Sequence, residues 1–265
     1  MRIAVVGHVE WVDFLRVPAL PTADEIVPAE RESARAAGGA AVAAAVLAEL
    51  GAEVDFFCAV GDDELGRRSV AQLAARGIAV HAAQREQPTR AAITLIDAVN
   101  ERSIITIGQR LQPAREDDLP WERIDDADGA YVTAGDHAAL RAARGARQLV
   151  ATPRIGERGD MLDVTIDALV LSGRDAREAR WAQPLRRHAR LFVETLGGDG
   201  GRWSGVCAGT WAAATPPGPV ADSYGCGDAF AAGFTFGLAQ TGDPADAARI
   251  GAECGARMLT RVGAP

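Results

Sequence analysis

"AGGAAVAAAVLAELGAEVDFFCAVGDDELGRR", residues 37–68, runs from a glycine pair through an alanine-rich segment into a compact apolar stretch and a second glycine-bounded turn. The small residues of 37–50 suit a helix lying close against a sheet. "EVDFFCAVG" (53–61) has the length and continuous apolarity of a strand buried on both faces. After Gly61, "DDELGRRSVAQLAARG" puts acidic residues in a first helical turn, then apolar Leu65, Val70 and Leu73, with Gly77 as a C-terminal cap. Helix, buried strand and helix in succession are the unit of parallel α/β architecture.

The pattern extends in both directions. "RIAVVG" (2–7), "GAYVTAG" (129–135), "RQLVATP" (147–153), "IDALVLSG" (166–173) and "ARLFVETLG" (189–197) are short apolar runs separated by helical segments. The expected fold is α/β, a central mostly parallel sheet with helices on both faces, in a single domain over residues 1–265. Two stretches, approximately 10–30 and 78–108, break the pattern. The second contains β-type alternation in "RAAITLIDAVNERSIITIG" (90–108), with "DAVNERS" as a hairpin turn. These segments are expected to form a small β-sheet lid, which should cover a cleft or pair with a second subunit.

Composition narrows the function classes. A net charge of −8 and a sequence without lysine advertise no basic face for nucleic acid or anionic membrane. The absence of lysine also removes P-loop, Schiff-base and lysine-base mechanisms. Cys58, Cys207, Cys226 and Cys254 lie far apart with no C-x-x-C pair, so zinc and a disulfide framework are not expected, and a reduced cytoplasmic setting is. The N-terminal apolar run is too short for a signal peptide, and the alanine-rich stretch fails the roughly 18-residue test for a membrane span.

Ligands of open α/β sheets bind at the carboxyl ends of strands, in loops leading into helices. The most specific such loop is "DSYGCGDAFAAGF" (222–234). Glycines at a helix start let backbone N–H groups converge on an anion, and Asp228 stands where it can accept a hydroxyl proton. The alternative is an ordinary N-cap aspartate after a glycine turn. "ETLGGDGG" (194–201) suits either a nucleotide-wrapping loop or a turn into the following "RWSGVCAGTW". Asp175 and Glu178 stand one helical turn apart, as water-mediated magnesium binding or a solvated first turn would have them. Gly38 and Gly39 open the alanine-rich helix, facing a ligand or serving close packing. Asp13 and Trp11 follow the first strand, where a carboxylate and a ring can meet a sugar. The four histidines are scattered.

Taken in order, these pieces resemble the ribokinase-like (PfkB-type) carbohydrate kinase family over nearly the whole chain. "VVGHVEWVD" resembles the family's first strand and sugar-binding aspartate, residues 37–68 its first signature, and "DSYGCGDAFAAGF" its second. The resemblance implies ATP-dependent transfer of a γ-phosphoryl group to a hydroxymethyl group of a sugar or sugar-like substrate. Asp228 would be the base, and Gly225, Cys226 and Gly227 the anion hole. Thr195, Gly197 and Gly200, with Asp175 and Glu178, would serve the nucleotide, and Glu178 would help place Mg2+ through water. Asp13, Gly38 and Gly39 would serve the sugar, and Asp222 matches a monovalent-cation position. The hairpin at 90–107 would be a lid and homodimer interface.

The departures bear on substrate. Val42 or Ala43 stands where the family carries a sugar-contacting asparagine, Asp175 replaces an asparagine, and "LVATPR" (149–154) has alanine or threonine where relatives place an aspartate. A nucleoside kinase, or a non-catalytic nucleotide- or sugar-binding relative, would share the pattern. Arg90, Arg102 and Arg110 suit a phosphate grip on a phosphosugar, although arginine is the only surface cation this chain has, and solvated surface positions are expected for them.

Overall fold

The computed structural model describes residues 1–158 and 163–265. Strands β1 (Arg2–Val6), β2 (Glu10–Arg16) and β3 (Glu30–Ala37) precede helix α1 (Gly39–Glu49). Then come β4 (Glu53–Gly61), α2 (Glu64–Ala74), β5 (Ala79–Arg85), β6 (Ala91–Ile96), β7 (Arg102–Ile107) and β8 (Gly129–Val132). α3 (His137–Ala143), β9 (Gln148–Ala151), β10 (Ile166–Ser172), α4 (Ala176–Ala182) and β11 (Ala189–Thr195) follow. β12 (Gly201–Gly205), β13 (Gly209–Trp211), α5 (Cys226–Thr241) and α6 (Pro244–Met258) complete the chain.

Nine strands form one sheet in the order β13-β12-β11-β10-β9-β8-β1-β4-β5. It is parallel from β5 to β11, and only the hairpin β12–β13 runs antiparallel. Successive side chains of β1 enter opposite layers: Ile3 and Val5 pack with α1, α5 and α6, whereas Ala4 and Val6 pack with α3 and the Trp121 region. Both faces are therefore covered, the condition under which strands are apolar throughout. Helix α6 lies tightly on α5, because a Cβ on Gly233 would come within 2.8 Å of Cys254 Sγ.

A separate four-stranded sheet, in the order β3-β2-β6-β7, takes most of the two segments expected to form a lid. Its composition corrects the expected boundaries: residues 79–85 pair parallel with β4 in the main sheet, and the lid gains residues 30–37. The reason is register. β5 continues the right-handed crossover from β4 through α2, leaving only the hairpin beyond Pro88 free to cross over.

The "GDDELG" turn fixes where that crossing begins. Asp63 caps α2 through the Gly66 amide and also accepts from the amide and hydroxyl of Thr89, whose hydroxyl in turn accepts from the Gly61 amide. There is no room for side chains at Gly61 or Gly66, where a Cβ would stand within 2.5 Å of backbone.

Candidate functional site

Helix α5 begins at Gly225, which adopts a left-handed conformation (φ 71°) open to glycine. The first amides of a helix have no intrahelical partner, so those of Cys226, Gly227 and Asp228 face outward at the positive end of the helix dipole. A Cβ on Gly227 would touch nothing. The open space beyond is a cavity of about 530 Å³, lined by Thr195, Gly197, Gly200, Trp211, Gly227 and Phe230 among others. The stretch 194–201 therefore does two things: it borders the cavity and turns the chain into the hairpin β12–β13. Burial among α5 and α6 pushes the Cys226 thiol up to about 12, so it is not a nucleophile at neutral pH.

On the other side of Gly227 the Asp228 carboxylate turns toward Gly39 at the start of α1. A Cβ on Gly39 would lie 2.7 Å from Asp228 Oδ1 and 3.1 Å from Arg154 Nη1. Arg154 follows β9 and stands between two carboxylates, 3.8 Å from Asp228 Oδ1 and 3.4 Å from Glu178 Oε1. The attraction to Asp228, joined by that to Glu178, raises its already high pKa and outweighs burial, which acts to lower it. Glu178 also accepts the Ser172 amide at 2.8 Å, while Asp175 caps α4 through the amides of Arg177 and Glu178. Their oxygens are hard donors of the kind magnesium takes through water. Among the described residues no cluster of three or more acidic, histidine or cysteine side chains surrounds a point.

A second group of polar residues gathers where the small sheet meets the loop after β1. Gly38 (φ 89°) lies against both His8 and Glu10: a Cβ there would come within 3.1 Å of each, and its amide donates to the Tyr224 hydroxyl at 3.3 Å. Glu10 faces Arg90 at 3.2 Å, and burial raises its carboxyl pKa despite the arginines nearby. His8 is 4% exposed, with its Nδ1 unpartnered. Burial, then Arg110, Arg154 and Arg90, hold it well below the usual histidine value, so it is neutral.

Several sequence expectations land elsewhere. Asp13 pairs with Arg31 at 3.3 Å, and strand alternation points it away from the face that carries Glu10, Val12 and Phe14. Trp11 shares its side of β2 and lies under the Arg68 guanidinium, 4.2 Å from the ring centroid. Glu10, on the opposite face, is the carboxylate that lies against Gly38. Val42 packs against Gly225, where a Cβ would lie 3.0 Å from its side chain. The lid arginines are not simply solvated: Arg90 meets Glu10, and Arg102 donates to the Ser223 hydroxyl. Asp222 is 1% exposed and accepts the amides of Tyr224 and Gly263, one on each oxygen. Both oxygens thus tie the loop ahead of α5 to the C-terminal segment. Arg154, in "LVATPR", is not among the sequence candidates, and its signal is an arginine just past the carboxyl end of a parallel strand.

Comparison with known proteins places nearly the whole chain in one family. The family model described as pfkB family carbohydrate kinase matches residues 1–153 and 165–265. An ATP-dependent ribose-1-phosphate kinase of Halopiger xanaduensis is 27% identical over 281 residues, covering 100% of this chain and 94% of that protein. Among solved structures, a microbiome-derived acarbose kinase superposes with a TM-score of 0.82 at 24% identity, covering 99% of this chain and 93% of that one. The adenosine kinase of Sinorhizobium meliloti gives 0.77 at 19% identity, covering 99% and 94%.

Proposed function

Because the chain belongs to the pfkB family of carbohydrate kinases, we propose that it moves the γ-phosphoryl group of ATP onto a hydroxymethyl group of a sugar-like acceptor held beside Glu10, Gly39 and Asp228. The observation that carries the assignment is a change of direction at one peptide: Gly227 opens on the large cavity, while Asp228 turns to Gly39 and the acceptor side. Nucleotide and alcohol would thus meet at the N-terminus of α5.

In the step itself, Asp228 takes the acceptor hydroxyl proton as the oxygen attacks the γ-phosphorus. The new O–P bond forms, the bond from the γ-phosphorus to the bridging oxygen breaks, and ADP leaves with that electron pair. The outward-facing amides of Cys226 and Gly227, set up by the turn at Gly225, would hold the charge spread over the phosphoryl oxygens at no cost of reorganisation. Magnesium, when bound, would neutralise the phosphates, held through water by Glu178 with Asp175 nearby. The lid over Glu10 and Arg90 would keep water out and limit ATP hydrolysis.

For the acceptor, a phosphorylated pentose fits best. Two arginines of the lid region, Arg110 and Arg90, are close enough to His8 to help depress its pKa, and guanidinium groups suit phosphate oxygens. The ribose-1-phosphate kinase relative supports the same choice. A reducing, cytoplasmic setting suits the four free cysteines. The test is an ADP-release screen over free sugars, sugar phosphates and nucleosides, with Asp228→Asn alongside. Turnover should concentrate on pentose phosphates, and Asp228→Asn should lose at least roughly 100-fold. Equal turnover by the Asn variant would sink the assignment of the base.

A further inference from the structure

We propose that Arg154 is a catalytic residue, the side-chain cation that leaves the Asp228 and Glu178 carboxylates to grip the phosphoryl group during transfer. This rests on the phosphotransfer reading above and adds to it a group that neither signature contains.

Arg154 stands on the turn after β9, with Glu178 on one side and Asp228 and Gly39 on the other. Its separations of 3.4 and 3.8 Å exceed a charge-assisted hydrogen bond, so the guanidinium is held by both carboxylates and locked to neither. One cation between two anions leaves a net negative charge where an incoming phosphoryl group adds more. If the guanidinium stayed on Asp228, it would compete with the substrate proton for that carboxylate. Transferring its donors to the phosphoryl oxygens relieves both conflicts: Asp228 is freed for the proton, and the planar fork meets oxygens it fits bidentately.

The chain has no lysine, so arginine is the only side chain that can bring a permanent positive charge to the reacting atoms. Arg154 is a guanidinium whose ion pairs include Asp228. Gly39 keeps the space beside it open, since a Cβ there would stand 3.1 Å from Nη1. No bond to Arg154 is made or broken. It carries charge only, in the way a cis-acting arginine does in other phosphoryl transfers.

The test uses the whole protein with Arg154→Ala and Arg154→Lys, each checked by thermal melting. Steady-state kinetics on the best acceptor should show kcat down by roughly 1,000-fold for Ala and less for Lys, with both KM values within about threefold of wild type. Added guanidinium ion should restore part of the Ala variant's rate. Calorimetry supplies a readout independent of turnover. MgADP alone should bind the variants as it binds wild type, whereas tightening of MgADP by aluminium fluoride, a mimic of the planar phosphoryl group, should be lost. A raised acceptor KM with unchanged kcat would overturn the proposal and assign Arg154 to the acceptor's own phosphate. Unchanged kinetics and fluoride response would reduce it to a structural ion pair. Wild-type protein that turns over no acceptor fails the phosphotransfer reading, and this proposal with it. An inactive Asp228→Asn beside a fully active Arg154→Ala fails this proposal alone.

Discussion

The missing side chain of Gly39 and the carboxylate of Asp228 share one space: a Cβ on the first would lie 2.7 Å from Oδ1 of the second. The backbone of Gly39 is ordinary, so alanine there presses only on the far ends of Asp228 and Arg154. Gly39→Ala should therefore melt near wild type and yet lose about 100-fold in kcat, the scale of a misplacement near 1 Å. A loss of folding matched to the loss of rate would show that the glycine serves packing instead.

The clasp between Asp63 and Thr89 links stability to the acceptor side, because Arg90 follows Thr89 directly. Asp63 accepts from the Gly66 amide and from the amide and hydroxyl of Thr89. Asp63→Ala should cost about 2 kcal/mol, a helix cap plus hydrogen bonds to a charged group. It should also raise the acceptor KM several-fold while leaving MgADP affinity alone. Denaturant titration and calorimetry read the two effects separately.

Asp55 gives a pH signature far from the site. It is 1% exposed, and burial alone would raise its pKa. Hydrogen bonds from Arg123 at 2.6 Å and His81 at 2.8 Å outweigh that and hold it below the usual carboxylate range. A carboxyl depressed in the folded state adds stability that is fully present above its unfolded value of about 4 and is lost as pH falls through the folded value. Asp55→Asn should cost roughly 2 kcal/mol at neutral pH, less than a fully buried pair because the Arg123 side chain is 39% exposed. The difference from wild type should shrink on acidification below about pH 4. A difference constant with pH would assign it to packing.

Asp222 should behave as an anchor. Removing its carboxylate strands the buried amides of Tyr224 and Gly263, so Asp222→Ala should destabilise by about 3 kcal/mol. Wild-type kcat in potassium and in tetramethylammonium at matched ionic strength should agree within about twofold. Strong activation by potassium would restore the cation role.

Strand β7 is exposed throughout and forms an outer edge of the lid. Ile105 and Ile107, each 53% exposed, share one face of it. An apolar edge strand invites pairing, and a second copy of the lid is the partner proposed for it. Light scattering should give a dimer mass for wild type and a monomer mass for Ile105→Asp with Ile107→Asp, with little change in melting. A monomeric wild type would remove the homodimer.

Residues 37–68 were enough to read helix, buried strand and helix, because continuous apolar runs and glycine-bounded turns are local properties of the chain. Asp228 and its glycines were legible for the same reason: a helix start is written in four consecutive residues. The acceptor side was not. Asp13 and Glu10 both carry carboxylates on one strand, and only the register of β2 between β3 and β6 turns Glu10 inward and Asp13 toward Arg31. Arg154 and Asp228 lie far apart in sequence, and no local pattern announces that parallel strands bring both to one end of the sheet. The sequence by itself determined the layers, the loops and the chemistry at the start of α5. Tertiary structure alone decided which charges face one another across that loop, because pairing between distant segments depends on strand register and helix packing.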